Sequence, residues 1–502
     1  MKKLFKTVAI ITIFSILTRV LGFVLRILLS RSIGAEGLGI YQIAFSFFMI
    51  LETLISSGLP FTISKMTAEN NAQNKKEESF KLVTAALIVG LILSIIIITT
   101  ILLFKNFLGN IFADKRCLAV LITLLPSLIF SSTYAVIRGY FWGEKRYFWV
   151  SVTEFFEQIA RVVFFVLLTT IGFAAIEEII AAPLSLVFAC ALSCLFVIIV
   201  FFRLGGKLKN PKGKFKPILK VATPITAVRL VSSLLMPLIG IIIPITMVYA
   251  GYTNEQALTE YGIAIGMTFP LLHLPSTLIG SLAMTLIPDI ASDMAINKKD
   301  IASKRIEASI KFSIFITFIV VPLYIGLGSS VGLFLYDNTT SGIYLSKAAW
   351  IMVPMSINNI AASSLNAMGL EVKSFTNYLI GSVFLFLSLI FLPKYIGILS
   401  LVVGMGVCMS IATVLNIKML NKKLKNNLSF LKHITSLILI SIPVALIANW
   451  TNNILQNFMP LFFSLAISST LSAIIFILTC EVFKIANISS LFIDRKKKKQ
   501  TV

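Results

Sequence analysis

The sequence predicts an all-α polytopic membrane protein with about 14 transmembrane helices, arranged as two six-helix lobes and a C-terminal helix pair. Three observations predict this fold class. Of the 502 residues, 57% are hydrophobic and only 13% are charged, whereas about 25% of the residues of a soluble protein are charged. The apolar residues form long uninterrupted runs, and the basic residues fall between alternate runs. An ordinary soluble enzyme is therefore excluded.

Each run is compared with the roughly 20 apolar residues that an α-helix needs to cross a bilayer. Strands of a membrane barrel would alternate apolar and polar residues, and these runs do not. We therefore expect helices in every run. The predicted spans are residues 6–30, 38–64, 82–104, 118–141, 148–172, 179–202, 218–250, 261–288, 306–328, 344–366, 374–392, 396–418, 434–450 and 459–483.

The distribution of basic residues predicts the orientation of these spans. The chain has 44 lysines and arginines against 21 acidic residues, a formal net charge of +23. With the N-terminus in the cytoplasm, 33 of the 44 fall in segments on the cytoplasmic side, as the positive-inside rule requires. We expect a protein of the cell membrane with both termini in the cytoplasm. The bases are not interleaved with aromatic residues, which argues against a nucleic-acid partner.

Weak internal repeats predict the domain organisation. Residues 58–63 are echoed by residues 280–287, and residues 36–40 by residues 260–264, at an offset of about 220 residues. The pairs keep their order, so helices one to six match helices seven to twelve. The predicted segments are an N-lobe at 1–202, a basic cytoplasmic linker at 203–217, a C-lobe at 218–420, helices thirteen and fourteen at 421–485, and a basic cytoplasmic tail at 486–502.

Three arginines inside predicted spans are candidates for binding an anionic substrate. Arg19 and Arg26 are seven residues apart and so share one face of helix one. Arg229 lies at a similar depth in helix seven, the repeat partner of helix one. Because an arginine at the bilayer centre costs about 2.5–3.5 kcal/mol, it usually faces a partner or a wet cavity. The alternatives are that Arg26 reaches the lipid headgroups and that Glu52 in helix two neutralises Arg19.

Helix five contains the charged residues Glu154, Glu157 and Arg161. Glu157 and Arg161 are four residues apart, the spacing of an ion pair on one helical face. A buried pair with only a structural role is one interpretation. The other is that Glu154 or Glu157, together with Glu52, serves a coupling cation or proton.

Prolines are dense in helices seven and eight, where Pro224, Pro237, Pro270 and Pro275 are candidate hinge residues. Each proline removes a backbone donor and can bend its helix. Static kinks in a packed bundle are the alternative.

No cofactor, metal site or catalytic centre is expected. The chain has two histidines and five scattered cysteines, too few for a zinc-type ligand set. It contains neither a phosphate-binding loop nor a soluble domain long enough for a nucleotide site.

Several segments resemble one family. Residues 18–26, 33–41 and 58–65 resemble the opening of the stage V sporulation protein B branch of the multidrug/oligosaccharidyl-lipid/polysaccharide exporter superfamily, and residues 138–143, 157–161 and 274–289 continue the match. The resemblance implies two lobes around a laterally open cavity that alternates between inward-facing and outward-facing states. It also implies an undecaprenyl-diphosphate-linked glycan lipid as substrate, such as a peptidoglycan precursor for the spore cortex.

The same resemblance bears on individual residues. The related lipid II flippases depend on arginines of helix one, which Arg19 and Arg26 match at a spacing of seven instead of six. Those flippases have an arginine in helix eight; this chain has none there, and Arg229 in helix seven is the expected substitute. The family's extra helix pair implies a groove for the lipid tail.

The sequence thus favours a non-enzymatic flippase in contact with membrane lipids. One alternative is a cation-coupled multidrug or polysaccharide-unit exporter of the same superfamily, whose cavity should be lined by carboxylates. Another is a non-transporting scaffold for cell-wall synthesis proteins, in which the tail at 495–499 would be essential and the arginines of the spans dispensable. A membrane glycosyltransferase is disfavoured because its acidic catalytic residues would need larger loops.

Overall fold

The structure, a computed structural model, describes residues 2–170 and 178–483. Within these ranges the regular secondary structure is entirely helical. The chain divides into two compact units, which we describe separately. The first comprises Met1–Val248 and Tyr252–Gly262, and the second comprises Tyr249–Gly251 and Ile263–Val502.

The first unit is formed by the helices up to residue 262. They are α1 (Lys2–Ser56), α2 (Leu59–Ala72), α3 (Lys76–Leu103), α4 (Lys105–Gly109), α5 (Arg116–Leu124), α6 (Ser127–Gly143), α7 (Tyr147–Thr170), α8 (Glu178–Arg203), α9 (Phe215–Ser233), α10 (Leu235–Tyr249) and α11 (Asn254–Tyr261).

The second unit begins in a π-helical segment, Gly262–Thr268, that leads into α12 (Phe269–Ala295). The helices that follow are α13 (Lys299–Tyr336), α14 (Thr339–Ala348), a 3₁₀ turn (Ala349–Ile351), α15 (Met352–Ala367), α16 (Glu371–Phe391), α17 (Pro393–Ile396), α18 (Leu399–Leu424), α19 (Leu431–Leu455) and α20 (Leu461–Val482).

Breaks in the first two helices follow from glycine and proline. The long helix α1 is interrupted at Gly34, where φ is 68°, a left-handed conformation that glycine adopts without a steric penalty. This break separates predicted spans one and two. The chain is interrupted again at Ser57 and Gly58, and α2 starts with Pro60 in its first turn, where the missing amide N–H is not needed.

Wherever the structure describes them, the predicted spans are mostly helical, with short interruptions such as those at residues 57–58, 125–126 and 397–398. Among the described residues, nine helices are long and apolar enough to cross a membrane, or ten if α5 and α6, bent by 41°, form one span. Helix α7 is not among them because it contains three charged residues within about three turns, and α15 has only 16 residues. The protein is therefore a multi-span membrane protein, and the count of about fourteen remains a prediction.

Each unit has its own apolar core. In the first, Ile63 of α2, Val83 of α3 and Phe201 of α8 are among the fully buried side chains. In the second, Ile310 of α13 packs in a cluster that includes Phe476 of α20.

The predicted C-terminal helix pair, α19 and α20, packs against α13 of the second unit. Asn452 Nδ2 donates a hydrogen bond to Ser330 Oγ at 2.9 Å, and Ser464 Oγ donates to Asn452 Oδ1 at 3.1 Å. The predicted tail at 486–502 lies outside the described residues.

The predicted basic linker crosses the end of α3. The backbone amide of Lys209 donates a hydrogen bond to Thr84 Oγ1 at 3.1 Å. The ammonium group of Lys209 lies 3.3 Å from the Glu77 carboxylate, and that of Lys214 lies 2.5 Å from the Glu78 carboxylate. Helices α9 and α10, which follow the linker, belong to the first compact unit up to Val248. The lobe boundaries expected from the sequence remain a prediction.

All five cysteines are free thiols and all are buried in the helical packing. They are Cys117, Cys190, Cys194, Cys408 and Cys480.

Candidate functional site

The first unit contains a charged cavity of about 310 Å³ enclosed by α1, α6, α7 and α8. This volume is at the lower end of the range for ligand pockets. Its ionisable lining residues are Glu52, Arg138, Glu154, Glu157 and Arg161.

Helical periodicity brings three of these residues together. Glu154, Glu157 and Arg161 are spaced by three and four residues on α7, so they share one face. The other side of α7 presents exposed apolar side chains such as Val163 and Val166, as expected of a surface in contact with lipid. The polar face of α7 is thus turned toward the other helices of the first unit.

Glu157 and Arg161 each bind a different partner. Ser193 of α8 donates a hydrogen bond to Glu157 Oε2 at 2.8 Å. Arg161 Nη2 donates to Tyr41 Oη of α1 at 2.6 Å, and its guanidinium lies 5.9 Å from the ring centre of Phe45. Among the described residues, Glu157 and Arg161 do not form an ion pair with each other within 4.0 Å. The side chains therefore connect α7 to two neighbouring helices.

Arg138 of α6 occupies the opposite wall of the cavity. Its Nη1 lies 3.6 Å from Glu154 Oε1, and its guanidinium is between 5.0 and 5.3 Å from the ring centres of Trp142 and Tyr134. The Nε atoms of Arg138 and Arg161 are buried, and no atom in the described part of the chain accepts a hydrogen bond from them. Each guanidinium therefore has one buried N–H group without a hydrogen-bond partner in the described part of the chain.

The charge balance of the cavity suits a small positive species better than a large anion. Three carboxylates face two guanidinium groups, a net charge of −1 if all are ionised. No three histidine, cysteine or acidic residues within the described ranges are close enough together to hold a metal ion.

The structure thus brings together all four residues that the sequence suggested for coupling or charge balance: Glu52, Glu154, Glu157 and Arg161. Their role is not tested by this arrangement and stays a prediction. Three residues that contact them were missed: Arg138, Tyr41 and Ser193. Arg138 is one of the 33 basic residues that the positive-inside rule places on the cytoplasmic side, although it lies inside predicted span 118–141 and four residues from both Tyr134 and Trp142.

The candidate substrate-binding arginines lie outside this cavity. Arg19 is exposed on α1, beside the cavity residue Thr18, and Arg26 is half-buried on the same helix. Arg229 is exposed on α9, and its guanidinium lies 4.4 Å from the ring centre of Phe61. Their role in binding an anion remains a prediction.

Two of the four candidate hinge prolines, Pro237 and Pro270, lie near irregular backbone. Pro224 is inside α9, and Pro237 follows the break between α9 and α10. Pro270 is in the first turn of α12, immediately after the π-helical segment Gly262–Thr268, and Pro275 is inside α12. Segments of π-helix are rare and often occur at functional sites, so the hinge role remains a reasonable prediction for helices seven and eight.

The described part of the chain is all-helical, has at least nine candidate spans and encloses a charged cavity among its helices, which defines the class of polytopic membrane proteins. Residues 4–294 match the family described as polysaccharide biosynthesis protein. The chain belongs to this family.

Relatives and solved structures are consistent with this assignment. Stage V sporulation protein B of Bacillus subtilis (strain 168) is 26% identical over 377 residues, which cover 73% of this chain and 73% of that protein. The lipid II flippase MurJ of the same bacterium is 22% identical over 357 residues, 65% of this chain and 64% of that protein.

Two solved structures share the fold. The lipid II flippase MurJ in an inward closed conformation has a TM-score of 0.70 at 16% identity, with 94% of this chain and 98% of that chain covered. An inward-facing multidrug resistance MATE family transporter of the MOP superfamily has a TM-score of 0.69 at 16% identity, with 81% and 94% covered. The fold is therefore that of the MurJ and MATE transporters.

Proposed function

We propose that this protein is a flippase for a lipid-linked glycan precursor. The observation that carries the proposal is the pair of arginines at positions 19 and 229. Both side chains are exposed on apolar helices, and neither has a carboxylate within 4.0 Å among the described residues. Because an uncompensated arginine near the bilayer centre is costly, an anionic substrate headgroup is the expected partner.

The chemistry of guanidinium suits a diphosphate. Arginine stays charged at every physiological pH and binds phosphate oxygens through two parallel N–H groups. In the proposed mechanism, Arg19, Arg26 and Arg229 hold the diphosphate of a polyprenyl-linked glycan that enters from the cytoplasmic leaflet. Alternating access then exposes the headgroup to the other side while the lipid tail stays in the bilayer. The relative MurJ is named as a lipid II flippase, and this supports a lipid-linked glycan as the class of substrate.

The charged cavity of the first unit has a separate role in this proposal. Proton uptake by Glu52, Glu154 or Glu157 would change its charge from negative toward neutral, and this change would alter the interactions that join α7 to α1, α6 and α8. A proton gradient could therefore favour one state of the transport cycle. This assignment makes the cavity a coupling site and leaves the headgroup to the exposed arginines.

The test is translocation by purified protein in vesicles. A fluorescent short-chain polyprenyl-diphosphate glycan is placed in the inner leaflet, and its accessibility to an external quencher is followed with and without a pH gradient. Arg19→Ala and Arg229→Ala are each expected to lower the rate of translocation at least about tenfold, because each removes one or more charge-assisted hydrogen bonds to the diphosphate. The matched control is Arg203→Ala, which removes an exposed arginine at the cytoplasmic end of α8. Normal rates in both test variants would overturn the proposal.

A second candidate, a cation-coupled exporter of the same superfamily, is favoured by the three carboxylates of the cavity. It predicts that Glu154→Gln abolishes proton-driven export of amphipathic cations while lipid translocation is undetectable in the wild-type protein. The flippase proposal predicts lipid translocation in the wild type and loss of only its pH-gradient dependence in Glu154→Gln.

The biological setting is also a proposal. We infer that the protein acts in the cell membrane, with both termini in the cytoplasm, in the supply of precursor for the spore cortex; the similarity to stage V sporulation protein B supports this. A deletion strain should accumulate precursor on the cytoplasmic face and form spores with deficient cortex. If the protein were a scaffold for cell-wall synthesis proteins, the deletion strain would instead be rescued by the Arg19→Ala variant but not by a variant that lacks residues 495–499.

A further inference from the structure

Two aromatic side chains and one arginine form a continuous surface in the first unit. The guanidinium of Arg229 on α9 lies 4.4 Å from the ring centre of Phe61 on α2. The rings of Phe61 and Trp142 on α6 are 5.8 Å apart at an angle of 60°. We call these three residues the aromatic platform. Arg229 lies beside Phe61 and Phe61 lies beside Trp142, so the platform joins side chains from three helices.

The backbone holds the platform in place. A Cβ at Gly58 would overlap the carbonyl oxygen of Ala222, so α2 and α9 are in backbone contact three residues before Phe61. A Cβ at Gly139 would lie 2.6 Å from the carbonyl oxygen of Pro60, so α6 touches α2 equally closely three residues before Trp142. These close backbone contacts set the spacing of α2 from α6 and from α9, and with it the positions from which the two rings project.

Two of the three platform residues are exposed, and the third, Trp142, is half-buried. Phe61 is 42% exposed and Arg229 is exposed, whereas Ile63, two residues along α2, is fully buried. A cation over an aromatic face is stabilised by about 0.5–2 kcal/mol, which is enough to position the guanidinium but leaves its N–H groups free to bind an anion. An accessible surface with a fixed cation beside aromatic faces is suited to a ligand that has an anionic group next to a flat apolar one.

We infer that the aromatic platform binds the first sugar of a glycan diphosphate, with Arg229 on the phosphate and Phe61 and Trp142 against the sugar ring. One face of a pyranose consists of C–H groups with a slight positive charge, which pack on the negative face of an aromatic ring. In a glycosyl diphosphate the sugar and the phosphate are covalent neighbours, just as Arg229 and Phe61 are neighbours in the structure. This inference rests on the proposed function and adds recognition of the sugar to it.

The experiment compares two probes on purified protein: a short-chain polyprenyl diphosphate, and the same lipid diphosphate bearing one N-acetylhexosamine. Wild-type protein should bind the glycosylated probe more tightly, by about two- to thirteenfold if the aromatic contact contributes about 0.5–1.5 kcal/mol. Phe61→Leu, which keeps the apolar volume but removes the aromatic face, should lose this preference and bind both probes equally. Arg229→Gln should weaken the binding of both probes.

The control is Phe47→Leu, because Phe47 forms a comparable aromatic pair with Phe112, at 4.8 Å, outside the platform. This variant should retain the preference and also show what the loss of one aromatic pair does to folding, measured by thermal unfolding. If Phe61→Leu retains the preference, or if the wild type binds both probes equally, the inference is overturned while the proposed function stands. If the wild type binds neither probe, both fail.

Discussion

The hydrogen bond between Tyr41 and Arg161 offers a direct test of how the charged cavity is organised. Tyr41→Phe removes one oxygen atom, the acceptor 2.6 Å from Arg161 Nη2. The ring itself should stay in place because Tyr41 is 2% exposed and stacks on Phe45 at 5.6 Å. The substitution therefore isolates one interhelical hydrogen bond between α1 and α7.

Two general magnitudes bracket its contribution. Hydrogen bonds to charged groups contribute about 1.5–3 kcal/mol in proteins, whereas interhelical hydrogen bonds in membranes average about 0.6 kcal/mol and reach about 1.7. Arg161 is only half-buried and lines a cavity that water can enter, so the membrane value is the better guide. We expect Tyr41→Phe to lower the free energy of unfolding by about 1 kcal/mol, a roughly fivefold change in the equilibrium constant.

The measurement is a double-mutant cycle of Tyr41→Phe with Arg161→Met, read from unfolding in mixed detergent micelles. The coupling energy should be about 1 kcal/mol, since the two groups are in direct contact. Tyr249→Phe is the matched control, because Tyr249 is 88% exposed, and it should change stability by less than about 0.5 kcal/mol. A coupling energy near zero would refute the view that this hydrogen bond stabilises the connection between α1 and α7.

Gly139→Ala should lower the free energy of unfolding by about 1–3 kcal/mol, because the added Cβ would lie 2.6 Å from a backbone oxygen. Gly280→Ala is the control and should be neutral or slightly stabilising, because a Cβ there would meet no neighbouring atom of the described residues within 4 Å. Equal melting temperatures of the two variants would contradict the close contact of α2 and α6. In the loop before α5, burial alone would raise the pKa of Asp114, but hydrogen bonds from Arg116 outweigh it and leave this pKa below its ordinary value. A lowered pKa in the folded state stabilises the protein above the unfolded-state pKa, and this contribution is lost as the pH falls through the folded-state pKa. The difference in melting temperature between wild type and Asp114→Asn should therefore be present near neutral pH and shrink below about pH 4; a difference independent of pH would exclude this contribution.

The positions of the helices could be predicted because each depends on a local run of apolar residues. The count was harder, since the distinction between one helix and two rests on single residues. Gly34 separates two spans without a loop, through one left-handed residue. Glu154, Glu157 and Arg161 make α7 too polar for a simple hydropathy criterion, although apolar residues cover its outer face.

Four of the five ionisable residues that line the cavity were predictable from the sequence, but their pairing was not. The sequence identified the charges inside the helices, since each breaks an apolar run. Spacing alone suggested Glu157 with Arg161, but their observed partners, Ser193 and Tyr41, lie 36 and 120 residues away in the chain. Only helix packing determines such contacts. Arg138 was missed for a different reason: near a predicted helix end, a basic residue that orients the helix and one that lines a cavity look the same in sequence.

The burial of all five cysteines has a practical consequence for single-molecule work. A maleimide dye reacts with accessible thiols, so the native cysteines should remain unlabelled in the folded protein. New cysteines at the exposed positions Lys216 in the first unit and Tyr395 in the second could then be labelled without first removing the native ones. Energy transfer between two such dyes would follow the distance between the units, one molecule at a time, as substrate and a pH gradient are supplied.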